Sequence, residues 1–185
     1  MWCGGKMGSI LKVIEQQYEK QMKRKWYETY WMIDMHGVII YPDHKDIMTP
    51  LKFYGFALDA LSLLTDRPDI RMILYTCSHP KQIEHYIKKL DEVGIAFDYI
   101  NVNPEIVTNI DYGCYDEKPY FDVYMDDKAG FDAETEWWGI YQFLKEKNLP
   151  DESWKSPEKE RIRNLYLYEQ FCISKFKEVQ KKEKK

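Results

Sequence analysis

The sequence predicts an α/β protein in which helices cover both faces of a mainly parallel central sheet. Short apolar runs alternate along the chain with longer segments whose apolar residues recur at helical spacing. Strands that alternate with helices form βαβ units, and such units build parallel sheets flanked by helices. The 185 residues are 44% hydrophobic and 16% aromatic, which is enough for a folded core. A three-layer sandwich is therefore expected.

The first third of the chain predicts a helix, a strand and a second helix. Residues 9–25 carry apolar side chains at helical spacing, namely Ile10, Ile14, Tyr18 and Met22. The apolar run 30–33 predicts a strand that stops at Asp34. Thr49 and Pro50 then predict the start of a helix, because a hydroxyl side chain caps a helix and proline suits its first position.

Three further strands and three further helices follow. The strands are predicted at residues 72–76, 97–100 and 121–125, and a polar loop at 101–119 separates the last two. Helices are predicted to start at His79-Pro80, at Asp132 and at Ser156-Pro157. The last helix is long and charged, and its inward face is expected to carry Ile162, Leu165, Cys172 and Phe176.

A chain of this length favours one domain with an additional helix at each end. Residues 1–28 form the predicted N-terminal helix and residues 29–150 the core domain. Residues 151–185 form a predicted C-terminal helix that packs on the core or extends from it. This last helix is expected to serve as extra packing, as a cover over the core, or as a contact between the subunits of a homo-oligomer.

The composition disfavours several classes of protein. The net charge is −4, so a global basic surface for nucleic acid is not expected, although the basic runs at 20–25 and 180–185 leave a local one open. The four scattered cysteines suggest neither a disulfide framework nor a zinc site. No apolar run approaches a membrane span, and the N-terminus lacks the apolar core of a signal peptide. A cytoplasmic protein with no membrane partner is expected.

Polar side chains follow three of the predicted strands. Asp34 ends the first strand, Thr76 the second, and Asp126 and Asp127 the fourth. Taken singly, each of these residues suits a turn or a helix cap. Ligands of parallel α/β sheets bind beyond the carboxyl ends of the strands, which is where all four residues are expected to lie. The pattern therefore predicts the active centre at this edge of the sheet.

Four short motifs in this order resemble those of the haloacid-dehalogenase-like (HAD-like) superfamily of Mg²⁺-dependent phosphohydrolases, which has a Rossmann-like fold. They cover roughly residues 31–138 and read Ile33-Asp34-Met35-His36-Gly37-Val38, Leu74-Tyr75-Thr76, Lys118-Pro119 and Val123-Tyr124-Met125-Asp126-Asp127. Each motif alone is weak, but four in order are much stronger. The resemblance implies a Mg²⁺-dependent phosphomonoesterase that works through an aspartyl-phosphate intermediate.

The resemblance also implies the catalytic and metal-binding residues. Asp34 would be the nucleophile that accepts the phosphoryl group. Mg²⁺ prefers oxygen ligands, and here it would be held by Asp34, Asp126, Asp127 and the backbone carbonyl of His36. Lys118 would offset the negative charge around Asp34, which keeps that carboxylate ionised and nucleophilic.

The phosphate-binding residues follow from the second motif in the same way. Thr76, Cys77 and Ser78 would bind the phosphate through hydroxyl groups and strand-end amides. Gly37 would let the chain turn sharply, so that the backbone approaches the phosphate. His44 is in the loop after the first strand, from which it could reach over the cleft.

His36 is where the chain departs from the family. Phosphatases of this superfamily usually have a second aspartate there, which protonates the leaving oxygen and later activates water. A histidine can in principle perform either task near neutral pH, since its ordinary pKa is about 6.5. A cationic ring beside Mg²⁺ is disfavoured, so the favoured role is that of the neutral ring acting as a base. The alternative is that His36 only points into the cleft and that this step is slow or lost.

The spacing of the motifs indicates a minimally capped protein. Asp34 and Thr76 are about 40 residues apart, as are Thr76 and Lys118, which leaves little more than the sheet elements between them. Such family members act on large substrates or close their site by oligomerising. The substrate is then a phosphorylated small molecule or the phosphorylated end of a polymer. Two alternatives stay open: a catalytically weakened phosphate- and metal-binding or interaction protein, and a nucleic-acid end phosphatase that uses the basic termini.

Overall fold

A four-stranded parallel sheet organises the chain. The computed structural model describes residues 9–42, 50–111 and 113–183. The strands are β1 (Thr29–Ile33), β2 (Ile70–Leu74), β3 (Tyr99–Ile100) and β4 (Val123–Met125). The α-helices of the described ranges are α1 (Ser9–Arg24), α2 (Ala57–Thr65), α3 (Pro80–Asp91), α4 (Glu136–Glu146) and α5 (Pro157–Glu183).

The strand order β3-β2-β1-β4 puts β1 in the interior of the sheet. Ile33 at the end of β1 pairs with Leu74 on one side and with Met125 on the other. The carboxyl ends of three strands are therefore in register at one edge. The predicted α/β class, with a parallel sheet in a Rossmann-like three-layer arrangement, is confirmed.

The first face of the sheet packs against helices. All five residues of β1 and all five of β2 are buried, which is typical of interior strands in a parallel sheet. This core also takes apolar side chains from four helices, among them Ile14, Leu61, Leu64, Leu90, Trp137 and Ile140. Burial of each such side chain stabilises the fold by about 1.5–3 kcal/mol. The predicted N-terminal helix is confirmed, and its Ile10 and Ile14 belong to this core.

The second face of the sheet is covered mainly by the segment of residues 101–122, which connects β3 to β4. Buried Tyr30, Met32, Ile73 and Tyr99 form this second core. Glu105 fixes the segment to the sheet, because its carboxylate accepts hydrogen bonds from Tyr30 at 2.9 Å, from Arg71 at 3.0 Å and from Tyr99. Burial beside Glu105 raises the pKa of both tyrosines, so both hydroxyls remain protonated donors.

Helix α5 joins the second face through its first turns. Arg163 donates two hydrogen bonds to Asp98, at 2.7 and 3.1 Å, and Tyr166 packs edge-on against Tyr99. The predicted inward face of this helix is wrong. Leu165 and Cys172 are exposed and Ile162 is only half-buried, while the side chain of Phe176 lies outside the described residues. Residues 167–175 are exposed and make the helix extend away from the core.

Several predicted boundaries differ from the structure, and the strand predicted at 72–76 is β2 at Ile70–Leu74. Thr49 lies outside the described residues, and α2 starts at Ala57 rather than at Pro50. The reason is that the chain before α2 pairs with the chain after β1: Tyr41 donates its N–H to Lys52, and Tyr54 donates to Ile39. The strands predicted at 97–100 and 121–125 are shorter, and the helix expected after Asp132 is α4, which begins at Glu136. No helix among the described residues is long and apolar enough to cross a membrane.

Candidate functional site

Three carboxylates meet beyond the carboxyl ends of β1 and β4. Asp34 follows β1, and Asp126 and Asp127 follow β4. One oxygen from each carboxylate lies within 4.8 Å of the other two. The parallel pairing sets this geometry, because the N–H of Asp34 donates to the carbonyl of Met125 at 2.9 Å and keeps the two strand ends level.

Asp34 is half-buried at the floor of this group. Its Oδ1 accepts a hydrogen bond from the N–H of Met35 at 2.7 Å. Burial raises the pKa of Asp34, and the nearby charges of Asp126 and Asp127 raise it further, although the Met35 amide and Lys128 oppose them. Negative charge is therefore crowded around Asp34, which is what a bound cation would relieve.

Asp126 is held in place through both carboxylate oxygens. Its Oδ1 accepts the N–H of Lys128 at 2.7 Å, so it caps the 3₁₀ turn Asp127–Ala129, and its Oδ2 accepts the hydroxyl of Tyr124. Burial acts to raise the pKa of Asp126, but these hydrogen bonds outweigh burial and hold the pKa below its usual range. Asp126 therefore remains a carboxylate, the form that binds metal ions.

Asp127 comes close to the turn after β1 because Gly37 has no side chain. Gly37 has a φ of +76°, and a Cβ built there would lie 2.8 Å from both Cγ and Oδ2 of Asp127. Glycine is thus required here for two reasons. The backbone is left-handed, and a side chain would occupy the space of the Asp127 carboxylate. The sequence predicted a backbone approach to phosphate at Gly37, whereas the structure shows an approach of Asp127.

Thr76 is held at the edge of the sheet by Asn101, which follows β3. Asn101 accepts the N–H of Thr76 at 2.8 Å and donates its side-chain amide to the Thr76 carbonyl at 2.9 Å. The Thr76 hydroxyl lies 3.0 Å from that of Ser78 and accepts the Ser78 N–H at 3.3 Å. Cys77, between them, is exposed. This loop offers hydroxyls and amides, the donors that bind an anion.

The ring of His36 contacts Tyr86 of α3. Its Nε2 lies 3.1 Å from the Tyr86 hydroxyl, and the two rings meet edge to face at 5.4 Å. The backbone of His36 also forms a bridge with Ile40, which closes the turn after β1. The side chain of His36 is half-buried and therefore has limited freedom to move.

The Lys118 side chain is exposed, and its role in offsetting the charge around Asp34 stays a prediction. Lys128 is a cation beside the acidic group, because its Nζ forms an ion pair with Asp127 at 3.0 Å and its charge acts to lower the pKa of Asp34. His44 lies outside the described residues.

Four site residues were not foreseen from the sequence, namely Tyr86, Asn101, Tyr124 and Lys128. Asn101 had a readable signal, because it directly follows a predicted strand at the same edge as Thr76. Tyr124 also had one, since a residue two places before Asp126 on a strand points to the same side. Tyr86 had none, because its contact with His36 joins residues 50 positions apart.

The three carboxylates fit a small, hard cation. Mg²⁺ binds oxygen at about 2.0–2.1 Å in an octahedron, so its ligand oxygens lie about 3–4 Å apart. Oxygens within 4.8 Å of one another approach that spacing and need only small side-chain movements. Their chemistry is also suitable, since Mg²⁺ prefers carboxylate ligands and is not drawn to sulfur.

Comparisons with known proteins identify no family for this chain. A scan of protein-family models finds no match, and a search of curated proteins finds no similar sequence. Among solved structures the chain is similar to a conserved protein coded by a locus of Bacteroides thetaiotaomicron, with a TM-score of 0.49 and 22% identity. That similarity covers 65% of this chain and 93% of the other. A similarity at this level shows neither a family nor a function for this chain.

Proposed function

We propose that the chain is a Mg²⁺-dependent phosphomonoesterase of the HAD-like type. The observation that carries the proposal is the group formed by Asp34, Asp126 and Asp127 at the carboxyl edge of the sheet. The sequence motifs resemble the phosphatase motifs of that superfamily in the same order. The geometry supports the resemblance because it brings the first and fourth motifs together, as a shared metal and phosphoryl site requires.

The metal site would use the three carboxylates and the backbone carbonyl of His36. When bound, Mg²⁺ supplies positive charge that screens the phosphoryl oxygens from the acidic residues. Asp126 is suited to the role of a permanent ligand, because Tyr124 and the Lys128 amide hold it as a carboxylate. Lys128 adds a second positive charge at the rim of the same group.

Asp34 would carry the chemistry. An oxygen of its carboxylate forms a bond to the phosphorus of the substrate, and the bond between phosphorus and the ester oxygen breaks. The leaving oxygen takes a proton, and water then attacks the phosphorus of the aspartyl phosphate to release inorganic phosphate. The hydroxyls and amides at Thr76 and Ser78 would hold the phosphoryl group during both steps.

His36, protonated on both ring nitrogens, would give one proton to the leaving oxygen, and the neutral ring that results would take one from water. It stands two residues after the proposed nucleophile, at the position where the superfamily usually has aspartate. An imidazole exchanges protons near neutral pH, so it suits this task. The substrate class proposed here is a phosphomonoester, either a small molecule or a polymer end.

Hydrolysis of p-nitrophenyl phosphate and of a broad phosphomonoester panel, with and without Mg²⁺, tests the proposal. We expect turnover that EDTA abolishes, and we expect Asp34→Asn to lower kcat by about 1,000-fold or more. The matched control is Asp91→Asn, which makes the same chemical change at an exposed position at the end of α3 and should keep full activity. Wild-type turnover no higher than that of Asp34→Asn across the panel would refute the enzyme function.

A second candidate function is a phosphate- and metal-binding protein with little catalysis. The observation in its favour is the hydrogen bond between His36 and Tyr86, which ties up one ring nitrogen of the proposed acid–base group. Thermal unfolding tests the metal binding that the two functions share, and turnover separates them. Both predict that Mg²⁺ stabilises the wild type, by about 2.7 kcal/mol at 100 times its Kd, and that Asp126→Asn removes this effect. Only the enzyme function predicts turnover.

A further inference from the structure

Two side-chain hydrogen bonds join the chain that follows β1 to the chain that follows β4. The indole Nε1 of Trp137 donates to the backbone carbonyl of Val38 at 2.8 Å. The hydroxyl of Tyr41 donates to the carboxylate of Glu134 at 2.7 Å. The partners are 99 and 93 positions apart in the sequence, so both bonds belong to the folded state. We call these two hydrogen bonds the clamp.

The Trp137 bond of the clamp is completely buried. Trp137 and Val38 are both 0% exposed and belong to the main core. Trp137 lies in the first turn of α4, and neighbouring Glu136 fixes that turn, because it accepts the N–H of Ile10 at 3.0 Å and that of Asp132 at 2.9 Å. A buried carbonyl that loses its donor finds no water to replace it, so its displacement is costly. The bond therefore holds the Val38 carbonyl in one position.

The turn that Trp137 holds is also the turn that approaches Asp127. Val38 directly follows Gly37, whose missing side chain leaves the space for the Asp127 carboxylate. The N–H of Gly37 donates to Ile40 at 2.8 Å, and the N–H of Ile40 donates to Met35 at 3.0 Å, so the turn is short and closed on itself. A movement of the Val38 carbonyl therefore moves Gly37 and changes the space beside Asp127.

Tyr41 attaches the same part of the chain at the surface. Its ring stacks on that of Tyr54 at 3.9 Å between centroids, and its N–H donates to the Lys52 carbonyl at 2.9 Å. The hydrogen bond to Glu134 raises the pKa of Tyr41, so the hydroxyl keeps its proton and acts as the donor. This bond is exposed to water, so it is expected to hold the chain less strongly than the buried bond of Trp137.

We propose that Trp137 is a positioning residue, which holds Gly37 beside Asp127 and so keeps the three carboxylates of the site at the spacing of a cation site. The exposed bond of Tyr41 supports the same arrangement. The acidic group is then formed before a cation binds, which lowers the entropy lost on binding. The part of the inference that concerns cation binding rests on the proposed function, and the part that concerns the turn does not.

Hydrogen exchange of the Gly37 amide, followed by NMR in metal-free protein, tests the structural part. In Trp137→Phe we expect this amide to exchange about 10-fold faster relative to the amide of Tyr75, the effect of losing one hydrogen bond. Tyr75 donates to Ile33 at 2.9 Å and therefore reports the opening of the sheet itself. An unchanged ratio of the two exchange rates would overturn the proposal.

Trp31→Phe is the matched control for this measurement. Trp31 is buried in the same core, but its Nε1 has no hydrogen-bond partner among the residues that the structure describes. Both replacements shrink a buried ring, whereas only Trp137→Phe removes a hydrogen bond. We expect the exchange ratio of Trp31→Phe to match that of the wild type. An equal rise in both variants would show that ring packing, and not the clamp, holds the turn.

Calorimetric titration with Mg²⁺ tests the binding part. We expect Trp137→Phe to weaken Mg²⁺ binding about 10-fold, and Trp31→Phe to leave the affinity within about two-fold of the wild type. Equal weakening in the two variants would contradict a role of the Trp137 hydrogen bond. If the wild type does not bind Mg²⁺, the proposed function fails, and the exchange of the Gly37 amide alone decides whether Trp137 holds the turn.

Tyr41→Phe provides a second variant if Trp137→Phe does not fold. It keeps the stacked ring and removes only the hydroxyl of the clamp. We expect faster exchange of the Gly37 amide and Mg²⁺ binding that is weaker by about three-fold, because an exposed bond contributes less than a buried one. The control is Tyr18→Phe, which removes a hydroxyl that donates to Asn148 beyond the other end of α4. Wild-type exchange and affinity in Tyr41→Phe would contradict the clamp.

Discussion

At the scale of single residues, the proposed nucleophile Asp34 also affects the stability of the fold. Burial raises the pKa of Asp34, so the folded protein binds a proton there more readily than the unfolded chain does. In metal-free protein, its ionised form therefore opposes folding at neutral pH. This opposition decreases as the pH falls through the raised pKa, and it is gone below the unfolded pKa of about 3.9.

Asp34→Asn should consequently stabilise the metal-free protein by about 1 kcal/mol at pH 7, a typical size for a point mutation. The gain should shrink on acidification, because the wild-type carboxylate becomes neutral and then resembles the amide. Urea unfolding in EDTA at several pH values measures this, with Asp91→Asn as the exposed control. A gain that does not change with pH would mean that charge at Asp34 is not its cause.

Gly37 and Gly94 form a natural pair for separating backbone strain from crowding. Their φ angles are +76° and +78°, but only at Gly37 would a Cβ meet another group, the Asp127 carboxylate at 2.8 Å. We expect Gly94→Ala to cost about 1 kcal/mol, the usual effect of a left-handed backbone. Gly37→Ala should cost more and also weaken Mg²⁺ binding, because it displaces Asp127. Calorimetric titration with Mg²⁺ measures this, and equal Mg²⁺ affinities in the two variants would contradict it.

Most of the site residues could be predicted because they follow strands, while the supporting residues Tyr86 and Lys128 could not. An aspartate that ends an apolar run is visible in the sequence, and parallel pairing then brings Asp34 and Asp126 to one edge. The contacts of Tyr86 and Lys128 with the site depend on where α3 and a 3₁₀ turn are packed. The spacing of apolar residues in the sequence does not predict such packing. The expected role of Lys118 in offsetting charge stays a prediction, and Lys128 is the cation the structure places beside the acidic group.

At the scale of elements, the start of α2 and the buried face of α5 were predicted wrongly. In both cases the tertiary structure, and not the local sequence pattern, decides the outcome. Residues 50–56 carry helix signals, yet Phe53 forms an antiparallel bridge with Ile40 and delays α2 until Ala57. In α5 the apolar spacing predicted a buried face, but the helix is longer than the surface it packs on. Helices α1 and α3 were predicted well because their apolar faces do meet the core.

The ion pair between Arg163 and Asp98 attaches α5 to the sheet. Asp98 also accepts the N–H of Met72 at 2.9 Å, so it links the helix to β2 as well. We expect Arg163→Ala to destabilise the protein by about 1 kcal/mol, because the pair is two-pronged and partly buried. Arg161→Ala, on the exposed side of the same helix, should change stability by less than about 0.5 kcal/mol. Denaturant unfolding compares them, and equal losses would contradict this attachment.

At the scale of the whole molecule, α5 has a first part that packs on the sheet and a second part whose described side chains, from Leu167 on, are exposed. Tyr166 packs on Tyr99, whereas Leu167, Tyr168, Phe171 and Ile173 are each more than 40% exposed. A chain that ends at Tyr168 should therefore unfold within about 0.5 kcal/mol of the full chain. Its mass in solution, measured by light scattering, also tests the prediction of a subunit contact through this helix. A full chain that is dimeric and a shortened one that is monomeric would support that contact. The same number of subunits in both would contradict it.

The place of β1 within the sheet also determines when, during synthesis, the acidic group can form. Asp34 is synthesised about 90 residues before the end of β4, which Asp126 and Asp127 follow, so β4 pairs with β1 only after those residues have been made. A nascent chain therefore has the proposed nucleophile long before it has the carboxylates grouped around it. The same chain order means that a product terminated before β4 would keep Asp34 without Asp126 or Asp127. Such a product would lack the proposed cation site, so the site forms only in a chain that has been synthesised beyond β4.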